Sequence, residues 1–272
     1  MAFRSLQLPS MMAVVSLSNL SRYDFVMCGR YSQTFELSEA IKRFSLKPPP
    51  FSCKPSYNIA PGAMAPVVCQ GGMKLLKWGF IPAWSAPKPS PGVRLEGGHL
   101  PLFAAGDPES KFSGIENAGT SENGPAKEGF INARAEGIAS RPLFRNAFYK
   151  TRCIVPADGF YEWQSAAGAK IPHRFEMRDK GLFGMAAVYE EATGTFALIT
   201  TAANALVRCV HNRMPVILEK RHEALWLDPK MKDSETLLPL LRACDSSLMH
   251  GYRVSDMVND PKNDSPDCLK PV

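Results

Sequence analysis

The chain has 272 residues, of which 45% are hydrophobic and 21% are charged, a balance typical of a folded globular protein. This excludes a chain that is disordered throughout, and no apolar run approaches the roughly 20 residues that span a bilayer. Lys and Arg outnumber Asp and Glu by 32 to 26, and the net charge of +6 suits a polyanionic partner as well as simple solubility. The seven cysteines lack CxxC or Cys/His spacing, which argues against a disulfide scaffold or a structural zinc.

The first atypical segment is residues 1–26. It carries Arg4 and Arg22 against one acid, Asp24, and contains five serines. This composition is compatible with an organelle transit peptide, and an upstream start codon ahead of an initiator at Met27 explains it equally well.

The second atypical segment is residues 86–129, where 14 of 44 residues are Pro or Gly. It has no sustained helical or strand periodicity, so we predict a flexible surface insertion. We therefore predict an N-terminal extension over residues 1–26 and a single domain over residues 27–272 that contains the insertion.

The remaining sequence is mainly of strand type, because short apolar or alternating segments are separated by Gly and Pro. The predicted strands include residues 75–80, 152–155, 160–163, 182–189, 196–201 and 216–218. Helical periodicity is less frequent and occurs at residues 37–44, 143–149, 223–227 and 235–242. Because strands do not alternate regularly with helices, we predict an α+β fold around a mostly antiparallel sheet.

Cys28 directly follows Met27 in the first motif, MCGRY. If the chain begins at Met27 and the methionine is removed, Cys28 becomes an N-terminal 1,2-aminothiol. Its amine, with a pKa of about 8, can condense with an aldehyde, and its thiol, with a pKa of about 8.5, can then close a thiazolidine ring on the imine carbon. The alternative is a small, buried apolar cysteine without chemistry.

Glu162 lies on a predicted strand between two aromatic residues, Tyr161 and Trp163. Strand alternation places those aromatics on one face and Glu162 on the other, together with Phe160. Aromatic neighbours favour a raised carboxyl pKa, which suits general acid/base chemistry. A solvated strand face is the alternative.

Further polar residues can complete such a site. Asn132 can orient an amine, and Arg134 in the same motif can bind a phosphate through its forked guanidinium. His211 titrates near neutral pH and can transfer a proton, while Arg213 can hold a phosphate. Taken singly, each is also explained as a structural or exposed polar residue.

Trp78 and Trp84 lie close together in the segment WGFIPAW. Each can be a core residue or a platform on which an unpaired base stacks. We expect at least one of them in the core.

In this order, the segments resemble the SOS response-associated peptidase (SRAP) family, which includes abasic-site processing proteins that crosslink to DNA. The resemblance runs from Cys28 nearly to the C-terminus. It rests on MCGRY at 27–31, YNIAPG at 57–62, WGFIP at 78–82, NAR at 132–134, GFYEW at 159–163 and HNRMP at 211–215.

The resemblance implies an α+β fold with a barrel-like β core and a positively charged groove for single-stranded DNA. It implies that Cys28 bonds to the ring-opened sugar of an abasic site as a thiazolidine, which shields the lesion from strand cleavage. Asn132 would position the amine, Glu162 would act as acid and base during ring closure and reversal, and His211 would assist sugar opening. No metal or organic cofactor is implied.

The implied partner is single-stranded DNA containing abasic sites, not a membrane, and we expect a monomer. The expected location is the cytoplasm or nucleoid, or the nucleus, with organelle targeting by residues 1–26 left open. Three arginines match phosphate-holding positions and four other residues are expected to shape the groove: Arg30, Arg134 and Arg213, then Asn58, Pro61, Trp78 and Trp84.

As the sequence is written, Cys28 has no free amine, because residues precede it. Initiation at Met27, targeting cleavage or the self-processing after which the family is called a peptidase must expose it. Two other functions stay open. One is a cysteine peptidase limited to its own N-terminal segment, with Cys28 attacking an acyl carbon and His211 as base. The other is a single-strand-binding module without covalent chemistry.

Overall fold

The computed structural model describes residues 28–85, 129–166 and 168–272. The predictions for residues 1–26, and for the insertion at 86–129 apart from Gly129, lie outside these ranges. The described elements, in chain order, are β1 (Arg30–Gln33), α1 (Leu37–Arg43), β2 (Ser56–Ile59), β3 (Met64–Cys69), β4 (Gly72–Trp78), β5 (Asn132–Arg134), α2 (Pro142–Lys150), β6 (Arg152–Ala157), β7 (Gly159–Ala166), β8 (Ala169–Met177), β9 (Phe183–Glu190), β10 (Thr195–Ala202), β11 (Arg213–Pro215), α3 (Glu223–Leu227), α4 (Ser234–Leu237) and β12 (Met249–Arg253).

The strands form two sheets. One has five antiparallel strands in the order β12-β8-β7-β1-β2. In the other, β10-β4-β3-β6-β9 close into a ring because β9 pairs back with β10, while β5 and β11 also pair with β10. Only the pairings of β10 with β4 and β5 are parallel among the described ladders. The prediction of an α+β fold with mostly antiparallel strands is therefore confirmed.

Alternation along the ring strands divides their side chains between two apolar clusters. Val67 and Val155 belong to the cluster that joins the two sheets, which we call the inner cluster. Their chain neighbours Val68 and Ile154 belong to a second, outer cluster that packs the helices against the ring. Trp226 of α3 is fully buried in the outer cluster. Burying a large apolar side chain of this kind stabilises a fold by about 1.5–3 kcal/mol.

Helices α1, α2 and α3 agree with the prediction, but the helix predicted at 235–242 is wrong in its second half. Helix α4 ends at Leu237 and a 3-10 turn follows at Leu238–Leu240. Pro239 is the cause, because it has no N–H to donate to the preceding turn of an α-helix.

The strand predicted at 216–218 is also displaced. Strand β11 ends at Pro215, and the chain then crosses from β10 towards β9. Val216 donates its N–H to Ile199 of β10 and accepts a hydrogen bond from Ala186 of β9. The segment is extended and buried, as its apolar residues predict, but it bridges two strands instead of extending one ladder.

Candidate functional site

The structure brings together the four residues predicted to carry chemistry. Cys28 lies two residues before β1, whose ladder with β7 brings it beside Glu162. Asn132 begins β5 and donates from Nδ2 to the carbonyl oxygen of Cys28 at 3.5 Å. His211 lies before β11, with Nδ1 3.8 Å from Oε2 of Glu162. Residues distant in sequence thus form one polar centre.

Strand β7 aims Glu162 into the molecule. Phe160 belongs to the inner cluster and its ring stacks on Phe175 at 5.3 Å. Tyr161 and Trp163 belong to a separate small cluster on the opposite face. The predicted division of the two faces of β7 is therefore confirmed. It explains why the Glu162 carboxylate lies on the face of β7 that carries the apolar inner cluster.

The Glu162 carboxyl is almost completely buried, with 1% of the residue exposed. Burial raises its pKa to about 8, although the thiol and the backbone N–H of Cys28 act in the opposite direction. At neutral pH the carboxyl is therefore mostly protonated, as a general acid must be.

Cys28 is itself buried and has an unusual backbone. Burial, and next the charge of Glu162, raise the pKa of its thiol well above the ordinary value, while Arg213 lowers it. Its φ angle of 46° lies in the left-handed region, which costs a non-glycine residue about 1–2 kcal/mol.

His211 is half-buried, and burial is the main cause that lowers its pKa, with Lys170 and Arg213 adding to it. Nδ1 lies 3.2 Å from the backbone N of Arg213, from which it can accept, and 3.4 Å from the carbonyl oxygen of the same residue, to which it can donate, so Nδ1 has a backbone partner in either tautomer. Lys170, on β8, was not identified from the sequence, because an exposed lysine in a strand carries no distinguishing signal.

Arg213 is engaged within the protein. Its guanidinium forks onto the carboxylate of Glu136 and also donates to the carbonyl oxygen of Thr200 at 2.7 Å. The hydrogen bond from Arg213 is the largest cause that lowers the pKa of Glu136. Glu136 was missed as a site residue, although it lies only two residues after Arg134, the last residue of the NAR motif.

Arg30 and Asn58 form a structural network. Arg30 donates to Oδ1 of Asn58 at 2.9 Å and to the carbonyl oxygen of Val258 at 2.6 Å. Asn58 is buried, and its Nδ2 donates to three backbone carbonyls between residues 258 and 263. Asn58 is therefore occupied within the protein, and the roles of Asn58 and Arg30 in binding DNA stay predictions.

The two tryptophans differ sharply. Trp78 is 0% exposed and its indole donates to the carbonyl oxygen of Ile131 at 2.9 Å, so it is the core residue expected among the two, and its part in shaping a groove stays a prediction. Trp84 is 76% exposed and stays a predicted stacking residue. Arg134 is exposed, and Pro61 lines an open cavity of about 550 Å³. Their predicted roles in binding DNA are untested by the geometry.

Within the described ranges, no group of three or more His, Cys, Asp or Glu residues is arranged to hold a metal ion. Among the same residues, no helix is long and apolar enough to cross a membrane.

Comparison with known proteins places this geometry in a family. The family described as SOS response associated peptidase (SRAP) matches residues 27–96 and 114–261. The abasic site processing protein YoqW of Bacillus subtilis is 33% identical over 258 residues, covering 90% of this chain and 99% of its own. The abasic site processing protein HMCES of Gallus gallus is 26% identical over 262 residues, covering 80% of this chain and 67% of its own. A crystal structure of a Bacteroides thetaiotaomicron protein superposes with a TM-score of 0.68 at 23% identity, covering 90% of this chain and all of its own. The chain belongs to the SRAP family.

Proposed function

We propose that this protein processes abasic sites in DNA, and that Cys28, as the first residue of the active form, captures the ring-opened deoxyribose as a thiazolidine. The relatives named above support the first part, since both are abasic site processing proteins. The chemistry in the second part is inferred from the arrangement of Cys28, Asn132, Glu162 and His211.

One observation carries the proposal. The Glu162 carboxyl interacts with both the backbone nitrogen and the thiol of Cys28. These are the two atoms that would bond to the aldehyde carbon. A single carboxyl beside both nucleophiles can serve each of the two bond-forming steps.

In the proposed reaction, Glu162 gives up one proton and later regains one. The amine of Cys28 adds to the aldehyde, and protonated Glu162 donates to the resulting hydroxyl, which leaves as water. The carboxylate then takes the thiol proton as sulfur attacks the imine carbon, so Glu162 ends protonated again. The reverse sequence opens the ring and releases the sugar.

The other two residues act around this exchange. His211, half-buried and 3.8 Å from Glu162, is placed to protonate the ring oxygen as the sugar opens. Asn132 holds the carbonyl of Cys28 and so fixes the residue whose amine must face the lesion.

Release of the Cys28 amine is required, and its backbone favours that step. The φ angle of Cys28 is defined by the bond to Met27, so removing the preceding residues abolishes the left-handed strain. The family match also begins at residue 27. Either initiation at Met27 or self-processing before Cys28 is compatible with these facts.

The test uses protein whose first residue, verified by intact mass, is Cys28, with single-stranded DNA carrying one abasic site. A denaturing gel should show a stable adduct that Cys28→Ala abolishes and that Cys209→Ser, which changes an exposed thiol, retains. Cys28→Ser should give only an imine that borohydride traps. An equally stable adduct with Cys28→Ala would contradict the chemistry, and binding without any adduct would favour the non-covalent module.

A further inference from the structure

Two buried cysteines take no part in the chemistry proposed for Cys28. Cys69 and Cys153 are direct partners in the antiparallel β3–β6 ladder and are 2% and 0% exposed. Side chains in such a pair have Cβ atoms about 4.5–5.5 Å apart. The next pair along the ladder is Val68 and Ile154.

Both thiols point to the same side of the ladder. Cys69 and Cys153 belong to the inner cluster, whereas Val68 and Ile154 belong to the outer one. Burial, and next the neighbouring thiol of Cys69, raise the pKa of the Cys153 thiol well above its ordinary value, so the thiolate forms only when the ladder opens locally. The pair is therefore a dithiol and not two isolated core cysteines.

The dithiol lies at the end of β3 that leads to a tight turn. Cys69 is the last residue of the strand, and the exposed Gln70 follows it. Gly71 and Gly72 take φ angles of 83° and 143°, which favour glycine. Because hairpin ends open locally more easily than strand centres, a small reagent can reach the thiols there.

This end of β3 is remote from the reactive centre. Met64, at the other end, pairs with Lys77, beside Trp78, whose indole contacts Ile131 next to Asn132. Six strand residues separate the two ends by about 17 Å. Oxidation at the dithiol is thus separable from capture by Cys28.

We propose that Cys69 and Cys153 are a reversible modification site, which a peroxide converts to a disulfide between the neighbouring strands β3 and β6. One thiol is oxidised by hydrogen peroxide to a sulfenic acid, with release of one water. The second thiol then attacks that sulfur, forming the S–S bond and releasing a second water. The two thiols supply both electrons, and a dithiol reductant reverses the step.

The backbone already meets the geometric requirement. Disulfides join residues whose Cα atoms are about 4.4–6.8 Å apart, and cross-strand partners lie at about 4.5 or 5.5 Å. Small side-chain rotations are then sufficient, without separation of β3 from β6.

The experiment treats the folded, reduced full chain with hydrogen peroxide, blocks remaining thiols with N-ethylmaleimide in denaturant, and maps peptides without reduction. A Cys69–Cys153 peptide should be the predominant disulfide, and dithiothreitol should remove it. Cys69→Ser should abolish the peptide, while Cys209→Ser should leave it unchanged.

Two outcomes would overturn the proposal. One is that both cysteines remain fully alkylated after peroxide has oxidised the exposed Cys209. The other is that they pair only when peroxide acts on denatured protein. The wild-type measurement decides without a variant, so poor folding of Cys69→Ser does not weaken the test.

Discussion

Replacing Glu162 with Gln should stabilise the fold at neutral pH while impairing the chemistry. The side chain is almost fully buried, and its pKa rises from 4.5 to about 8. The native state therefore holds the proton more tightly than the unfolded chain does. The stability associated with this proton is fully present below pH 4.5 and is lost as pH rises towards 8.

The size of the effect follows from that interval. Each pH unit between the two values corresponds to about 1.4 kcal/mol, so the loss approaches about 5 kcal/mol above pH 8 and is roughly 3 kcal/mol at pH 7. Gln has nearly the same shape and cannot ionise. Its stability advantage over wild type should therefore be near zero at pH 4 and grow to these values.

The assay is urea unfolding of wild type and Glu162→Gln from pH 4 to pH 9. Both proteins retain Met27, because a free ammonium group on Cys28 would itself stabilise the Glu162 carboxylate. With a urea m-value of about 2–3 kcal/mol/M, the midpoints should separate by about 1 M at pH 7. Glu191→Gln is the matched control, since that exposed carboxylate pairs with Lys74 at the surface. Parallel stability curves for wild type and Glu162→Gln, or a more stable wild type at neutral pH, would refute the reasoning.

Three further predictions concern the proposed activity and DNA binding. His211→Ala should slow adduct formation, measured by crosslinking time courses, by up to about 10²-fold. Because the pKa of His211 lies below its ordinary value, the rate advantage of wild type over this variant should increase as pH falls. Trp78→Ala should destabilise the fold by about 3–5 kcal/mol, whereas Trp84→Ala should leave urea unfolding unchanged and weaken single-strand binding by about 1–3 kcal/mol in anisotropy titrations. Arg134→Ala should reduce the salt dependence of that binding by about 0.7 in the log–log slope, and an unchanged slope would remove Arg134 from the DNA surface.

Local sequence patterns predicted the fold well where a strand is buried. The segments that form β6, β9 and β10 are rich in apolar residues, and strand alternation placed Glu162 on the same face as Phe160. The patterns could not show how completely Glu162 is buried. That depends on β7 pairing with β1 and on His211 arriving from another part of the chain.

The residues predicted to bind DNA have distant partners that local patterns do not show. Arg30 and Asn58 donate to carbonyls near residue 260, 200 or more positions away. Trp78 finds its partner at Ile131, beyond the insertion. Such contacts cannot be predicted from the local pattern of a motif. A family resemblance therefore identifies the motif residues without showing which of them reach the surface.

The cation Arg213 and the buried carboxyl of Glu162 are neighbouring groups of the site. Arg213 lies near the reactive cysteine, yet burial and not this cation dominates the pKa of Glu162. Because Glu136 forks onto the guanidinium, its positive charge is compensated within the protein. A DNA phosphate that displaced Glu136 would exchange one anion for another at Arg213. DNA binding would then leave the charge balance beside Cys28 unchanged, and so would not by itself disfavour the acid form of Glu162 that the loss of water during imine formation requires.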